Sequence, residues 1–535
     1  LEIFQIILIA LIVYLGSIGT PWFFGTTGGF YTIGRPLVAA AIVGLILGDV
    51  ETALAVGVII QAMYIGVITP GAVMPFDVNY IGYLTAALVV MSNASPELGA
   101  TIAVPVGLLG VLIWNIIWVV NVYFAHKADK YAEDGNSRGI RMMNLLPQVV
   151  NFILRFVPAF LILLLGRGFL EKALDAIPAT LEHYLIVVGG ILPALGIGLL
   201  LTMIVKDKIY LGVFLLGFIM VVYLELPIIA ISIIGTIAAL FVYRFSNNEN
   251  EEEAFVEQQQ EEPQTDNSNR LPKKLLFRTW LTWLFFNGSS QSGERMQGVA
   301  FAHSMSRVID ALYHTKEQRA AAYKRHLTLF NVEPQVGSVV VGVTSAMEEQ
   351  RASGADLDDD SINTVKIGLM GPLSGIGDTL IVGTMIPILL AIAIGITEAA
   401  GIAGPLFYFI VYPTVTLIYS WFLFKYGYSA GLTGIQSVIS SGQLYRLTNS
   451  LNVLGLLVMG ALSASYIELS TPLSYTSGEM ELSLQSILDQ ILPGLLPLVT
   501  VGLVYYLLDR KKKSAIWVMG FLFVFALIGV LIKLF

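Results

Sequence analysis

Cysteine is absent from the 535 residues, and charge is scarce: Asp, Glu, Lys and Arg together make up 13% of the chain. The first absence excludes disulfide frameworks, thiolate metal sites and cysteine nucleophiles together. The five scattered histidines, His126, His183, His303, His314 and His326, offer no paired ligand spacing, so neither a metal centre nor a cofactor is expected. The second absence excludes a soluble enzyme, in which about a quarter of the residues would be charged. In place of charge stand 56% hydrophobic residues, a mean hydropathy of +0.76 and apolar runs that recur from Ile6 to Phe535. This is the composition of an all-α, multi-pass membrane protein.

Thirty basic residues face 38 acidic ones, a formal net charge of −8. Eight of the acids (Glu249, Glu251, Glu252, Glu253, Glu257, Glu261, Glu262 and Asp266) crowd between Asn247 and Asn269, where there is no Lys or Arg, so the remainder of the chain is neutral. The acidity therefore belongs to one segment and carries no message about substrate or nucleic acid, and no nucleic-acid partner is expected. With its Gln run and Pro263 that segment cannot bury enough apolar surface to order itself, and it reads as a disordered linker. It divides the chain into a membrane domain at 1–245, the linker at 246–270 and a second domain at 271–535.

In the first half the apolar spans include Phe4–Thr20, Leu37–Gly48, Ala53–Ile68, Ile81–Met91 and Ile102–Phe124. Several fall short of the roughly 20 residues a perpendicular crossing needs. Short spans interrupted by Gly and Pro predict broken or re-entrant helices, which are tolerated where they are buried in protein or line a cavity. The second half opens with an amphipathic Leu275–Phe286 and then, over Ala302–Lys366, alternates charged and apolar residues as soluble helices do. Strong spans return after Lys366. Ile191-Leu192-Pro193 and Ile491-Leu492-Pro493 begin similar spans, each followed by a Gly-Phe pair (Gly217-Phe218, Gly520-Phe521), a trace of two related halves. Chance competes with this reading, because Leu, Gly and Pro matches are common in membrane spans.

Lys127, Lys130, Arg138 and Arg141, and the run Arg510 to Lys513, place their loops in the cytoplasm, whereas Glu468–Ser483, with no Lys or Arg, is expected outside. The first span, preceded by Glu2 and no basic residue, reads as retained rather than as a cleaved signal, and the opening Leu1 leaves the true start open.

Polar groups inside apolar spans are costly and rank first as functional candidates. One cluster runs from Gln61 through Met63-Tyr64 to Met74-Pro75-Phe76-Asp77-Val78-Asn79. Pro70, Gly71 and Pro75 forbid a regular helix there, while Gln61, Asp77 and Asn79 supply donors and acceptors of the kind a sugar requires, with Phe76 as an aromatic face. The same Asp77 and Asn79 read equally well as caps of the following helix. In a second cluster Asn287 precedes Ser290, Glu294 and Gln297, whose i, i+4, i+7 spacing puts hydroxyl, carboxylate and amide on one helix face, with Met296 beside them as a packing contact or filler. A third, Gly368 to Asp378, brings Asp378 to the start of a helix, where the dipole favours a carboxylate and N-capping alone could account for it. Gly375-Ile376-Gly377-Asp378 also fits the GxGD pattern of intramembrane aspartyl proteases and Pro193-Ala194-Leu195 their PAL, but the order is reversed.

The motifs Gly34-Arg35-Pro36, Gly48-Asp49, Gln61-Ala62-Met63-Tyr64 and Met74-Pro75-Phe76-Asp77 resemble the IIC component of the mannose–fructose–sorbose branch of the bacterial phosphoenolpyruvate-dependent sugar phosphotransferase system. Asn287, Glu294-Arg295-Met296-Gln297-Gly298, Phe330-Asn331-Val332-Glu333-Pro334 and Met370 to Asp378 resemble its IID component. The resemblance covers nearly all of the chain except the linker. It implies an elevator-like permease of the bacterial inner membrane, a homotrimer of fused IIC–IID embedded in lipid. Such a permease passes a hexose to a separate IIB, charged by IIA, for phosphorylation in the cytoplasm. No phosphoryl-carrying residue is then expected in this chain. Gln61, Asp77, Asn79, Asn287, Glu294 and Gln297 are the expected sugar contacts, with Met74, Phe76, Ser290, Met296 and Asp378 as secondary or structural candidates. On this reading Asp77→Asn or Glu294→Gln lowers sugar binding and leaves membrane insertion intact. The rival reading is an ion-coupled secondary sugar transporter in which Asp77 and Asp378 titrate.

Overall fold

A computed structural model describes residues 3–67, 76–175, 183–184, 187–188, 190–205, 208–245, 270–355, 357, 359–431, 443–477, 480–513 and 515–535. The acidic linker and Met74 lie outside the described residues. The first half contains α1 (Ile3–Leu15), α2 (Pro36–Leu47), α3 (Val50–Met63), α4 (Val78–Ser92), α5 (Pro96–Glu133), α6 (Ser137–Leu145), α7 (Pro147–Asp175), α8 (Pro193–Ile204), α9 (Ile209–Val222) and α10 (Ile228–Phe245). The second contains α11 (Lys273–Phe286), α12 (Gly298–Leu312), α13 (Lys316–His326), α14 (Ser338–Ala352), α15 (Asp359–Gly377), α16 (Ile386–Ala400), α17 (Ala403–Ala430), α18 (Gln443–Tyr466), α19 (Leu484–Ile491), α20 (Leu495–Asp509) and α21 (Ala515–Leu531). Among the described residues five helical stretches are long and apolar enough to cross a membrane, or six if α19 and α20 count as one span bent by 73°.

One departure from an all-helical chain is a small antiparallel hairpin, β1 (Ser474–Ser477) with β2 (Met480–Ser483), in the segment expected to face outward. Tyr475 and Thr476 favour extended backbone over a helix.

Local chemistry sets the helix limits. α2 and α3 are each about 18–21 Å long, short of the roughly 30 Å hydrocarbon. They are joined by Gly48, whose φ of +85° an L side chain rarely adopts, and by Asp49, whose carboxylate accepts from the Thr52 amide at 3.1 Å. The Gly48-Asp49 motif is thus a helix stop followed by a helix start. At the other extreme α5 has 38 residues, about 57 Å, and its charged end leaves the hydrocarbon. There Asp129 meets Arg295 (2.9 Å) and Asp134 meets Lys316 (3.0 Å), docking the soluble-like helices of the second half.

The halves share one core. A Cβ on Gly217 of α9 would overlap the Leu457 carbonyl, and one on Gly460 of α18 the Phe214 carbonyl, so two glycines let helices from different halves pack backbone to backbone. Gly520 meets open space, so the two Gly-Phe pairs noted in the sequence sit in unlike surroundings. The Ile-Leu-Pro spans themselves, α8 and α20, lie side by side, with Gly198 against Val504.

Candidate functional site

After α1 the chain does not continue as a helix but folds into turns and a π-helical turn, Gly29–Ile33, before α2. After α11 the chain again leaves the helix, at Asn287. The two irregular segments face each other. The Asn287 amide donates to the Trp283 and Leu284 carbonyls at 3.0 and 2.9 Å, and its oxygen accepts from the Thr26 hydroxyl at 2.7 Å. This side chain both closes α11 and joins the halves. Gln148 on α7 donates to the carbonyls of Gly19 and Ser289, at 2.6 and 3.0 Å, and Asn121 on α5 to that of Gln291 at 2.9 Å. Buried backbone oxygens without such partners would be costly.

Between these segments opens a cleft of about 400 Å³ empty volume, its mouth included. Ile18, Thr26 and Tyr31 line it from the first half; Asn287, Gln291, Gln297, Asn331, Glu333, Ser374 and Asp378 line it from the second. Gln297 clasps the opposite loop, giving its amide to the Val332 carbonyl and accepting from the Val332 amide, both at 3.0 Å. Gln335 donates to Thr27 at 2.7 Å. One Glu333 oxygen accepts from the Val336 amide at 2.7 Å; the other is buried with no partner among the described residues. Burial first, and then the Asp378 carboxylate, push the Glu333 carboxyl up to about 8, against the backbone amides of Val336 and Gln335 that favour its charged form. At neutral pH Glu333 is therefore a protonated carboxyl able to donate. The cleft thus offers amides, hydroxyls, an acid that donates and an aromatic ring, a set that matches a polyhydroxylated ligand rather than an apolar one.

The predicted residues divide by location. Asn287, Gln297 and Asp378 meet in the cleft. Gln61, Asp77, Asn79 and Phe76 do not line it: all four are fully buried on or beside α3 and α4. Asp77 accepts from the Tyr80 amide at 3.1 Å, the capping role, and pairs with Arg155 of α7, whose guanidinium lies 5.4 Å from the Tyr80 ring centre. Gln61 accepts weakly from the Leu37 amide (3.4 Å), Asn79 donates to the Val13 carbonyl (2.7 Å), and Phe76 packs edge-on against Tyr64. Two polar atoms there, Gln61 Nε2 and Asn79 Oδ1, have no partner among the described residues.

In the second half the expected helix face does not form. Residues 287–297 are turns and bridges, Met296 has a φ of +50° and pairs through its backbone with Ser292 and Phe330, and α12 begins at Gly298. Glu294 therefore points away, half exposed, to His126 at 3.1 Å. Ser290 bonds the Asn144 side chain instead. Glu333, Gln291, Asn331, Thr26 and Tyr31 are cleft residues that sequence reasoning missed as site residues. Asn331 and Glu333 stood inside a family motif, but nothing in their spacing told that their loop turns inward. Asp77 and Asp378 do not meet: one is bound to Arg155, while the other faces Glu333.

These features define a multi-pass helical membrane protein whose two halves jointly line a polar cleft. Two family models match it, "PTS system sorbose-specific iic component" over residues 3–241 and "PTS system mannose/fructose/sorbose family IID component" over 270–535. The chain belongs to the mannose/fructose/sorbose family of phosphotransferase-system permease components, with IIC and IID parts joined in one polypeptide. The mannose-specific EIID component of Escherichia coli K12 is 38% identical over 273 residues, 50% of this chain and 95% of that one. The mannose-specific EIIC component of the same organism is 26% identical over 247 residues, 46% of this chain and 89% of that one. A solved chain titled "Structure of membrane protein" is 38% identical and covers 50% of this chain and 98% of its own length, with a TM-score of 0.46.

Proposed function

We propose that this chain binds a hexose of the mannose class in the cleft between its halves and carries it to the cytoplasm, where a separate phosphorylated IIB, itself charged by IIA, converts it to the sugar phosphate. The observation that carries this reading is the lining of the cleft, shared by Thr26 and Tyr31 on one side and Asn287, Gln297, Glu333 and Asp378 on the other. Because each half supplies part of the lining, a relative movement of the halves or of elements within them would open the site and release its ligand, as alternating access requires. Phosphorylation makes release irreversible, since a phosphate ester carrying about −1.5 to −2 charge does not recross hydrocarbon. The assembly proposed is a homotrimer in lipid, with domain limits at 1–245 and 271–535.

The test is uptake of a radiolabelled hexose panel by cells carrying the protein, with and without the general phosphotransferase enzymes and a matched IIB. Phosphorylated sugar inside the cells only with the complete relay is the expected result. Free sugar accumulating without the relay and lost with the ion gradient would overturn the proposal.

A further inference from the structure

Away from the sugar cleft, two cavities open where α6 of the first half meets α11 and α12 of the second. One, of about 790 Å³ empty volume, is lined by Arg141, Lys274, Leu275, Arg278, Arg307 and Asp310. The other, of about 680 Å³, is lined by Arg278, Leu281, Thr282, Phe285, Phe286 and Arg307. Arg278 and Arg307 line both, so the two adjoin along these arginines as one groove region, more basic at one end and more apolar at the other.

The charge in this groove is not balanced. Asp310 takes Arg141 at 2.6 Å, and Arg141 also donates to Ser306 at 3.0 Å. Among the described residues no carboxylate pairs with Lys274, Arg278 or Arg307, which leaves three cations around one groove. Partial burial, and then Arg141 and Arg278, hold the Arg307 guanidinium below its usual range, against the opposing effect of Asp310. A counter-anion would relieve that repulsion.

The order of residues along α11 gives the groove a direction. Lys274, Arg278, Leu281, Thr282 and Phe285 stand at i, i+4, i+7, i+8 and i+11 and share one face. Cations lie at the end that follows the linker, where Lys273, Lys274 and Arg278 point to the cytoplasmic side by the positive-inside rule; apolar side chains lie toward Asn287, which lines the cleft. A groove that starts with arginines at the aqueous edge and continues as Leu and Phe matches a phosphate headgroup with an attached acyl chain, and Arg presents the planar fork that phosphate oxygens fit. We propose that this groove binds the phosphodiester headgroup of an anionic phospholipid of the inner leaflet at Arg278 and Arg307, with an acyl chain laid along Leu281, Phe285 and Phe286. Such a lipid would bridge α11 and α12 beside their contact with α6, independently of the sugar.

The test uses the full chain, purified in a neutral detergent and titrated with short-chain phosphatidylglycerol, phosphatidylcholine or inorganic phosphate, with bound ligand read by native mass spectrometry. Phosphatidylglycerol should bind well ahead of the other two, and Arg278→Gln with Arg307→Gln should weaken it about five-fold per charge removed. Lys324→Gln, on a different surface, should change nothing. Arg278→Lys with Arg307→Lys keeps the charge, and retention of most of the lipid binding there would separate lost affinity from lost folding. Equal binding of phosphatidylcholine would overturn the proposal. So would unchanged phosphatidylglycerol binding in the Gln double variant, and inorganic phosphate binding as well as the lipid would reassign the groove to a free anion.

Discussion

Asp77 and Glu294 look alike in the sequence, each a carboxylate next to polar neighbours, and the fold gives them opposite surroundings. Asp77 is sealed with Arg155, so removing either charge strands the other in the interior, a loss of about 3–5 kcal/mol. Asp77→Asn should therefore lower the melting temperature in detergent markedly, whereas Glu294→Gln, which breaks an exposed pair with His126, should leave it nearly unchanged. Equal melting temperatures in the two variants would contradict the burial argument. Glu333 calls for a pH experiment. With its folded value raised to about 8 from an ordinary 4.5, the folded protein holds a proton that the unfolded chain has lost. Stability contributed by this group is present below about 4.5 and declines as pH rises through 8. Sugar binding that relies on Glu333 as a donor should fall over the upper part of that range, and Glu333→Gln should flatten the profile, measured by equilibrium sugar binding between pH 6 and 9.

Among elements, the α9–α18 contact and the α6–α12 contact decide whether the halves stay together. The first depends on close backbone approach, so Gly217→Leu or Gly460→Leu inserts volume where carbonyls already touch, at a cost of about 1–3 kcal/mol or more. Crosslinking yield between cysteines introduced on α9 and α18 should drop in either variant. The second contact rests on His303 of α12, whose Nδ1 accepts from the Asn144 amide at 3.0 Å while the Asn144 oxygen accepts from Ser290. Burial, and then Arg141 and Arg307, lower the His303 value to about 3, so its imidazole is neutral in the fold. Between about 6.5 and 3 the unfolded chain takes up a proton that the fold refuses, and stability falls as the pH is lowered through that window. His303→Gln, which can still accept from Asn144, should lessen this acid sensitivity in a melting series from pH 7 to 4.

At the scale of the whole molecule, the linker and the interface make separate contributions. The tether raises the effective concentration of one half near the other, but Asn287–Thr26, Gln335–Thr27 and Arg295–Asp129 join the halves directly. A protease site placed in the linker should therefore yield two fragments that still co-purify and bind sugar. Separation on cleavage, measured by size-exclusion chromatography, would mean that the tether rather than the contact surface holds the assembly.

The class of protein was legible from composition alone, because hydrocarbon admits few charges and demands that backbone groups be satisfied within the chain. The break between the spans ending at Gly48 and beginning at Ala53 was legible because helix stops act over a few residues, although the cap formed by Asp49 was not read from the sequence. The cleft was legible in part: Asn287, Gln297 and Asp378 stood out as polar residues in apolar surroundings. What spacing could not reveal was which way each side chain turns. The turns over residues 287–297 leave Glu294 at the surface, the pairing of Asp77 with Arg155 spans 78 residues, and Thr26 reaches Asn287 across 261. Local rules act over a helical turn, whereas a site shared by two halves exists only once they have packed, and there the tertiary structure alone decided.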